Sequence, residues 1–240
     1  MTTDAAHEAG EGRAQFRAQL AEAERLTLDG FRLATAQLRR AIDAVERHDM
    51  ALVAAVVEGD DEIDDRHHDL HGRLLALLAL QAPVATDLRL IAALLQMAHM
   101  FERMGDQSVN IAKLVPLDGH DPPADETLLE ELGVMGTLAI AEVDQARRAF
   151  ERRDLALARD LLYQDRDINE LNRRVFQLAL ERGTEPDVRE WAMHMILAAR
   201  AIERVGDLAV DIGEQLAFVL TGNFEEFRDA SHPSVSDAAL

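Results

Sequence analysis

Residues 102–106 read Glu-Arg-Met-Gly-Asp, and residues 203–207 read Glu-Arg-Val-Gly-Asp, a near-copy 101 residues further along a chain of 240. The likeness continues upstream, where residues 46–63 resemble residues 151–168 at a spacing of 105. Self-similarity of this kind indicates an internal repeat. The spacing changes by about one helical turn between the two blocks, a difference that a loop can absorb. We therefore predict that the fold is an internal duplication.

The composition of the chain favours α-helix. Hydrophobic residues make up 48% of the sequence while aromatic residues make up only 4%, and the β-branched and aromatic residues typical of strands are sparse. Apolar residues recur at helical spacing, and Asp49 and Thr86 stand where helix caps are expected. Six helices are predicted: Phe16 to about Arg47, Met50 to about Leu80, Thr86 onward, about Thr127 to Arg152, Asp154 to Glu181, and Pro186 to about Val219.

The predicted fold is all-α, with two tandem three-helix bundles related by duplication. We place the first bundle at residues 15–115 and the second at residues 127–225. The proline- and glycine-rich residues 116–126 form the linker between them. Residues 1–14 and 226–240 are polar and unpatterned, and we expect both termini to be disordered.

Charge and missing motifs exclude several classes of function. Asp and Glu number 45 against 25 Lys and Arg, and a formal charge of −20 repels nucleic acid and anionic lipid. The chain has no cysteine, and no stretch approaches the roughly 20 apolar residues of a membrane helix, so we expect a soluble, cytoplasmic protein. P-loop, Rossmann and His-Glu-x-x-His motifs are absent.

Pairs of oxygen-bearing side chains four residues apart are the candidate site. Such residues share one helix face, where two like charges cost several tenths of a kcal/mol unless a cation offsets them. Oxygen ligands suit Mg²⁺, Ca²⁺, Mn²⁺ or iron better than a structural zinc. If helices two and three of each repeat are antiparallel neighbours, two metal sites follow: Asp60, Asp64, Glu102 and Asp106 in the first, and Asp165, Asn169, Glu203 and Asp207 in the second.

Two details refine this hypothesis. Gly105 and Gly206 lie in mid-helix, where glycine costs roughly 0.5–1 kcal/mol against alanine, which indicates close approach by a neighbouring helix or a ligand. Asn169 replaces a carboxylate, so we expect the first site to be the more acidic.

Two other interpretations stay open. The acidic rows could be solvated helix flanks paired with Arg103 and Arg204. A metal-dependent enzyme, either a di-iron carboxylate oxidase or a phosphohydrolase, is the alternative function, although the Glu-x-x-His motif of di-iron bundles is absent. We interpret the histidines near these rows as surface or packing residues: His67, His68, His71 and His99.

Residues 100–111 and 201–212, together with Pro83–Arg89, resemble the PhoU family of bacterial phosphate regulators, and the resemblance spans about residues 15–225. It implies metal clusters of iron, or sometimes zinc or another divalent cation, held by the two groups of four residues named above as metal sites. It further implies a homodimer without enzymatic activity. Its expected partners are the ATPase of the phosphate ABC transporter (PstB-like) and a sensor histidine kinase (PhoR-like), so that the chain would be a negative regulator of the phosphate response.

Overall fold

A computed structural model describes residues 2–81, 83–119, 125–186 and 188–227, with side chains from residue 12 onward except at residue 81. No strand occurs within these ranges, and the all-α prediction is confirmed. The helices are α1 (Thr2–Arg47), α2 (Met50–Gln81), α3 (Ala85–Ala112), α4 (Glu126–Arg152), α5 (Leu155–Arg182) and α6 (Arg189–Thr221), with a short 3₁₀ helix at Val115–Asp118.

The helices form two bundles that pack on each other. Helices α1, α2 and α3 contact one another, as do α4, α5 and α6. Between the bundles α3 packs on α6 and α1 packs on α4. Helices α3 and α6 accordingly bury residues around most of their circumference, whereas α2 and α5 bury a single stripe and lie on the outside.

Aspartate side chains cap the N-termini of three helices. Asp49 Oδ1 accepts the backbone N–H groups of Ala51 at 2.8 Å and Leu52 at 3.2 Å, which confirms its predicted role. Asp154 accepts the N–H of Leu157 at 3.0 Å at the equivalent position of the second repeat. Asp125 caps α4 by accepting the N–H of Leu128 at 3.0 Å. These caps position the outer helices α2 and α5, which carry half of the candidate ligands.

Three predicted helix starts differ from the structure. Helix α6 begins at Arg189 rather than at Pro186, and the starts of α3 and α1 differ as well. Thr86 does not cap α3, because the helix begins at Ala85, directly after the extended Val84, so that Thr86 lies inside the first turn. The side chain of Thr86 instead accepts a hydrogen bond from Arg89. Helix α1 begins at Thr2 rather than near Phe16, because residues 2–15 are mostly helix formers with no proline, although they lack an apolar stripe. Met1, residues 120–124 of the linker and residues 228–240 of the expected disordered C-terminus lie outside the described ranges.

Candidate metal centre

The first repeat brings its four predicted carboxylates together where α2 packs on α3. Burial raises the pKa of Glu102, and the negative charges of Asp106, Asp64 and Asp60 raise it further. Glu102 Oε2 is buried and accepts no hydrogen bond, and His99 Nδ1 lies 3.4 Å from it. Mutual repulsion of this kind is what a bound cation would relieve.

Glycine allows this approach of the two helices. A Cβ atom on Gly105 would lie 3.0 Å from Asp60 Oδ1 and 3.1 Å from Ile63 Cδ1, both on α2. The close neighbour that the mid-helix Gly105 predicted is therefore α2. The atom of α2 nearest to the Cβ position belongs to Asp60, a candidate ligand. Asp60 Oδ1 also accepts a hydrogen bond of 3.1 Å from Gln37 Nε2 on α1.

The second repeat assembles a similar group between α5 and α6. Burial raises the pKa of Glu203, and the charge of Asp207 raises it further. Glu203 pairs with Arg200 through Oε1, while its buried Oε2 accepts no hydrogen bond. Asn169 Nδ2 donates to Asp165 Oδ2 at 2.6 Å, so the amide supports a candidate ligand in this arrangement.

Glu142 on α4 belongs to this group and was not predicted. Its side chain is fully buried, and neither carboxylate oxygen accepts a hydrogen bond. Burial, followed by the charges of Asp165 and Asp207, raises the pKa of Glu142 to about 10. Without a cation, this carboxyl group is therefore neutral at pH 7.

Glu142 also bears on the expectation that the first site is the more acidic. With this residue included, each repeat has four carboxyl groups in its cluster, because Glu142 makes up for the amide at Asn169. Because Glu142 is neutral without a cation, the greater acidity of the first site stays a prediction. Sequence reasoning missed Glu142 because it considered only the second and third helices of each repeat. A glutamate among the buried apolar residues of α4, between Ala139 and Ala146, was the signal that could have found it.

Comparison of this chain with known proteins identifies its family. A family model described as the PhoU domain matches residues 28–115 and again residues 132–216, one match to each repeat. The chain belongs to the PhoU family. The phosphate-specific transport system accessory protein PhoU homolog 1 of Thermotoga maritima is 32% identical over 197 residues, which cover 81% of this chain and 84% of the relative.

Two further PhoU proteins support the assignment. The PhoU homolog of Caulobacter vibrioides is 31% identical over 192 residues, which cover 79% of this chain and 83% of the relative. The crystal structure of PhoU from Pseudomonas aeruginosa superimposes with a TM-score of 0.80 at 25% identity, covering 87% of this chain and all of that one. The predicted fold and family are thus confirmed.

The residues of this PhoU chain fit a cation in their chemistry. Among the described residues, no three His, Asp or Glu side chains already converge closely enough to hold a metal ion. Buried carboxylate oxygens without hydrogen bonds nevertheless occur in both repeats, at Glu102, Glu142 and Glu203. A hard cation would satisfy such oxygens after modest side-chain rotation.

A histidine cluster adjoins the first group. The ring centroid of His67 lies 5.4 Å from that of His68 and 5.9 Å from those of His71 and His99. Burial lowers the pKa of His67, and its histidine neighbours lower it further. The ring of His67 also meets the edge of Phe101, so at least this histidine has a packing role.

One negative finding concerns membranes. Within the described residues, no helix has the length and apolar character needed to cross a bilayer.

Proposed function

We propose that this chain is a non-enzymatic adaptor of bacterial phosphate uptake, which couples a phosphate ABC transporter to a sensor histidine kinase and acts as a negative regulator. The observation that carries the proposal is the PhoU domain match to both repeats. The relatives from Thermotoga maritima and Caulobacter vibrioides are named as accessory proteins of the phosphate-specific transport system, which supports the same role. The proposed adaptor is cytoplasmic and homodimeric.

Metal binding is the second part of the proposal. One cation group would be held by Asp60, Asp64, Glu102 and Asp106, and the other by Asp165, Asn169, Glu203 and Asp207. The buried oxygens without hydrogen bonds at Glu102 and Glu203 support it. Iron is the expected metal, with zinc or another divalent cation as alternatives. A bound cation would supply positive charge that joins α2 to α3 and α5 to α6.

Binding of the purified chain to its expected partners tests the adaptor role. We expect saturable binding to the ATPase subunit of the phosphate transporter, to the cytoplasmic part of the sensor kinase, or to both, measured by biolayer interferometry. The ATPase of an unrelated ABC transporter is the control. A chain that binds neither partner above this control contradicts the adaptor proposal.

Metal content tests the carboxylate groups separately. We expect the purified wild-type chain to contain metal by elemental analysis, and the Glu102→Gln/Glu203→Gln variant to lose most of it, because each substitution removes a charged ligand. The exposed glutamates of α2 and α5 provide the matched control, Glu62→Gln/Glu170→Gln, which should keep its metal. Equal metal in both double variants would show that these carboxylates are not the ligands.

A further inference from the structure

Gln37 and Glu142 occupy the same place in the two repeats. They are 105 residues apart, the spacing that also relates Asp60 to Asp165. Both are buried polar residues on the first helix of their repeat, with 2% and 0% of their surfaces exposed. The duplication therefore holds an amide and a carboxyl group in equivalent surroundings.

In the first repeat the amide completes a hydrogen bond. Gln37 Nε2 donates to Asp60 Oδ1 at 3.1 Å, and this bond joins α1 to α2 beside Gly105. A carboxylate oxygen of the half-buried Asp60 is thereby satisfied from within the protein. No further ligand is required at this position.

In the second repeat the same place holds carboxyl oxygens. Glu142 Oε2 and Asp165 Oδ1 lie 3.2 Å and 3.1 Å from one point, the position that a Cβ atom on Gly206 would take. Asp207, the residue after Gly206, brings a third carboxylate close to Glu142, and both charged neighbours that act on Glu142 are acidic. Helices α4, α5 and α6 thus bring carboxyl groups close together, from the buried Glu142 through the half-buried Asp165 to the exposed Asp207.

We infer that Glu142 is a cation ligand of the second repeat, and that the first repeat lacks this ligand because Gln37 stands in its place. The inference rests on the proposed metal-binding function, and it adds a third helix to the second site. Both oxygens of Glu142 are fully buried and accept no hydrogen bond, so a cation would satisfy a group that the protein itself leaves unsatisfied. The cation would lie deeper than the one in the first repeat, where the amide blocks the equivalent position. Its binding would release the proton of Glu142 to solvent, and the added carboxylate ligand would make this the tighter of the two sites.

Exchanging the two residues tests the inference. The metal-free full chain is titrated with Mn²⁺, and binding is followed by calorimetry and electron paramagnetic resonance. The proteins compared are wild type, Glu142→Gln, Glu203→Gln, Gln37→Glu and the exposed control Glu170→Gln. We expect Glu142→Gln to weaken the tightest Mn²⁺ site about 10- to 100-fold, comparable to other losses around metal sites. Gln37→Glu should strengthen the first site, and Glu170→Gln should match wild type.

A purely structural role for Glu142 gives a different result. If Glu142 were only a neutral acid that donates to Asp165, as Gln37 donates to Asp60, glutamine would replace it without changing Mn²⁺ affinity. Metal-free thermal unfolding is the second measurement, in which we expect Glu142→Gln to raise the Tm by at least about 2–4 °C because a buried unsatisfied carboxyl group is removed.

The outcomes separate this inference from the proposed function. If the tightest Mn²⁺ site keeps its affinity within twofold in Glu142→Gln but is lost in Glu203→Gln, the role of Glu142 alone is overturned. Absence of Mn²⁺ binding in every variant overturns both the carboxylate sites and the inference. Weaker binding in Glu142→Gln, with a raised metal-free Tm and no loss in Glu170→Gln, supports the inference.

Discussion

The glycines of the duplicated motif show how single residues shape the site. At Gly105 and Gly206 the absent side chain leaves room for a carboxylate oxygen from the neighbouring helix, Asp60 Oδ1 or Asp165 Oδ1. The helix-propensity argument predicted a close approach, and the structure identifies what approaches. The sequence could not have shown this, because the choice between a neighbouring helix and a ligand depends on the packing angle of α2 on α3.

We predict that Gly105→Ala destabilises the fold by about 1–2 kcal/mol. The alanine gains helix propensity, but its methyl group would lie 3.0 Å from Asp60 Oδ1 and 3.1 Å from Ile63 Cδ1, so both of these packed side chains must move by a few tenths of an ångström. Gly72→Ala is the control, because no atom lies within 4 Å of its Cβ position, and it should stabilise by about 0.5–1 kcal/mol. Urea unfolding measures both changes, and equal stabilisation by the two substitutions would contradict the packing argument.

Glu142 shows where prediction from single residues fails. The eight predicted ligands were found by their four-residue spacing, and the structure places them on the expected helix pairs. Glu142 has no partner at that spacing, since Gln145 and Ala146 follow it instead of an acid. Its role depends on three helices meeting at one point, and periodicity along one helix carries no information about such a meeting.

At the scale of helices, the ends of α1 and α4 repeat an unusual backbone geometry. His48 and Arg153, 105 residues apart, have φ angles of 49° and 56°, in the left-handed region that favours glycine. The next residues, Asp49 and Asp154, donate their N–H groups back to Ala44 and Ala149 and then cap the following helix. Sequence reasoning identified this break from Asp49 but could not detect the left-handed residue, because neither copy is glycine.

We predict that glycine stabilises the fold at the first of these equivalent positions but not at the second. His48→Gly should stabilise by about 1 kcal/mol, because glycine adopts this conformation without steric cost and His48 Nε2 is buried without a hydrogen bond. Arg153→Gly gains the same backbone freedom but loses the ion pair with Glu24 and the contact over the Phe150 ring at 4.4 Å. Thermal unfolding should show a Tm raised by about 2–4 °C for His48→Gly only. A similar rise in both variants would show that the Arg153 contacts contribute nothing.

At the scale of the whole molecule, the internal repeat predicted two bundles but not their arrangement. A duplication specifies what each half resembles, and it leaves open which helices meet between the halves. Gly136 on α4 faces Ile42 of α1, and a Cβ atom on Gly136 would overlap the isoleucine side chain. This close contact is part of the seam, the interface between the two bundles. Another connection is the buried pair of Asp118, in the 3₁₀ helix after α3, and His194 of α6, with 2.5 Å between Oδ1 and Nδ1.

We predict that Asp118→Asn removes a pH-dependent cost at this connection. Burial raises the pKa of Asp118, although the hydrogen bond with His194 lowers it in part. With a raised folded pKa, the unfolded state releases its proton first, so wild-type stability falls as the pH rises above the unfolded pKa of about 4. The stability of Asp118→Asn relative to wild type should therefore increase from about pH 4 to pH 6, measured by urea unfolding. A difference that stays constant over this range would contradict the raised pKa.

The seam between the bundles also has a consequence for how the chain is made. Residues up to the end of α3 leave the ribosome first, and at that time the surfaces of α1 and α3 that will cover α4 and α6 have nothing to pack on. At about 5–20 residues per second, the rest of the chain follows over roughly 5–25 seconds. For that interval the nascent first repeat presents an apolar surface to its surroundings. Synthesis of the second repeat covers it, so the later half of the chain serves the earlier half as a tethered chaperone.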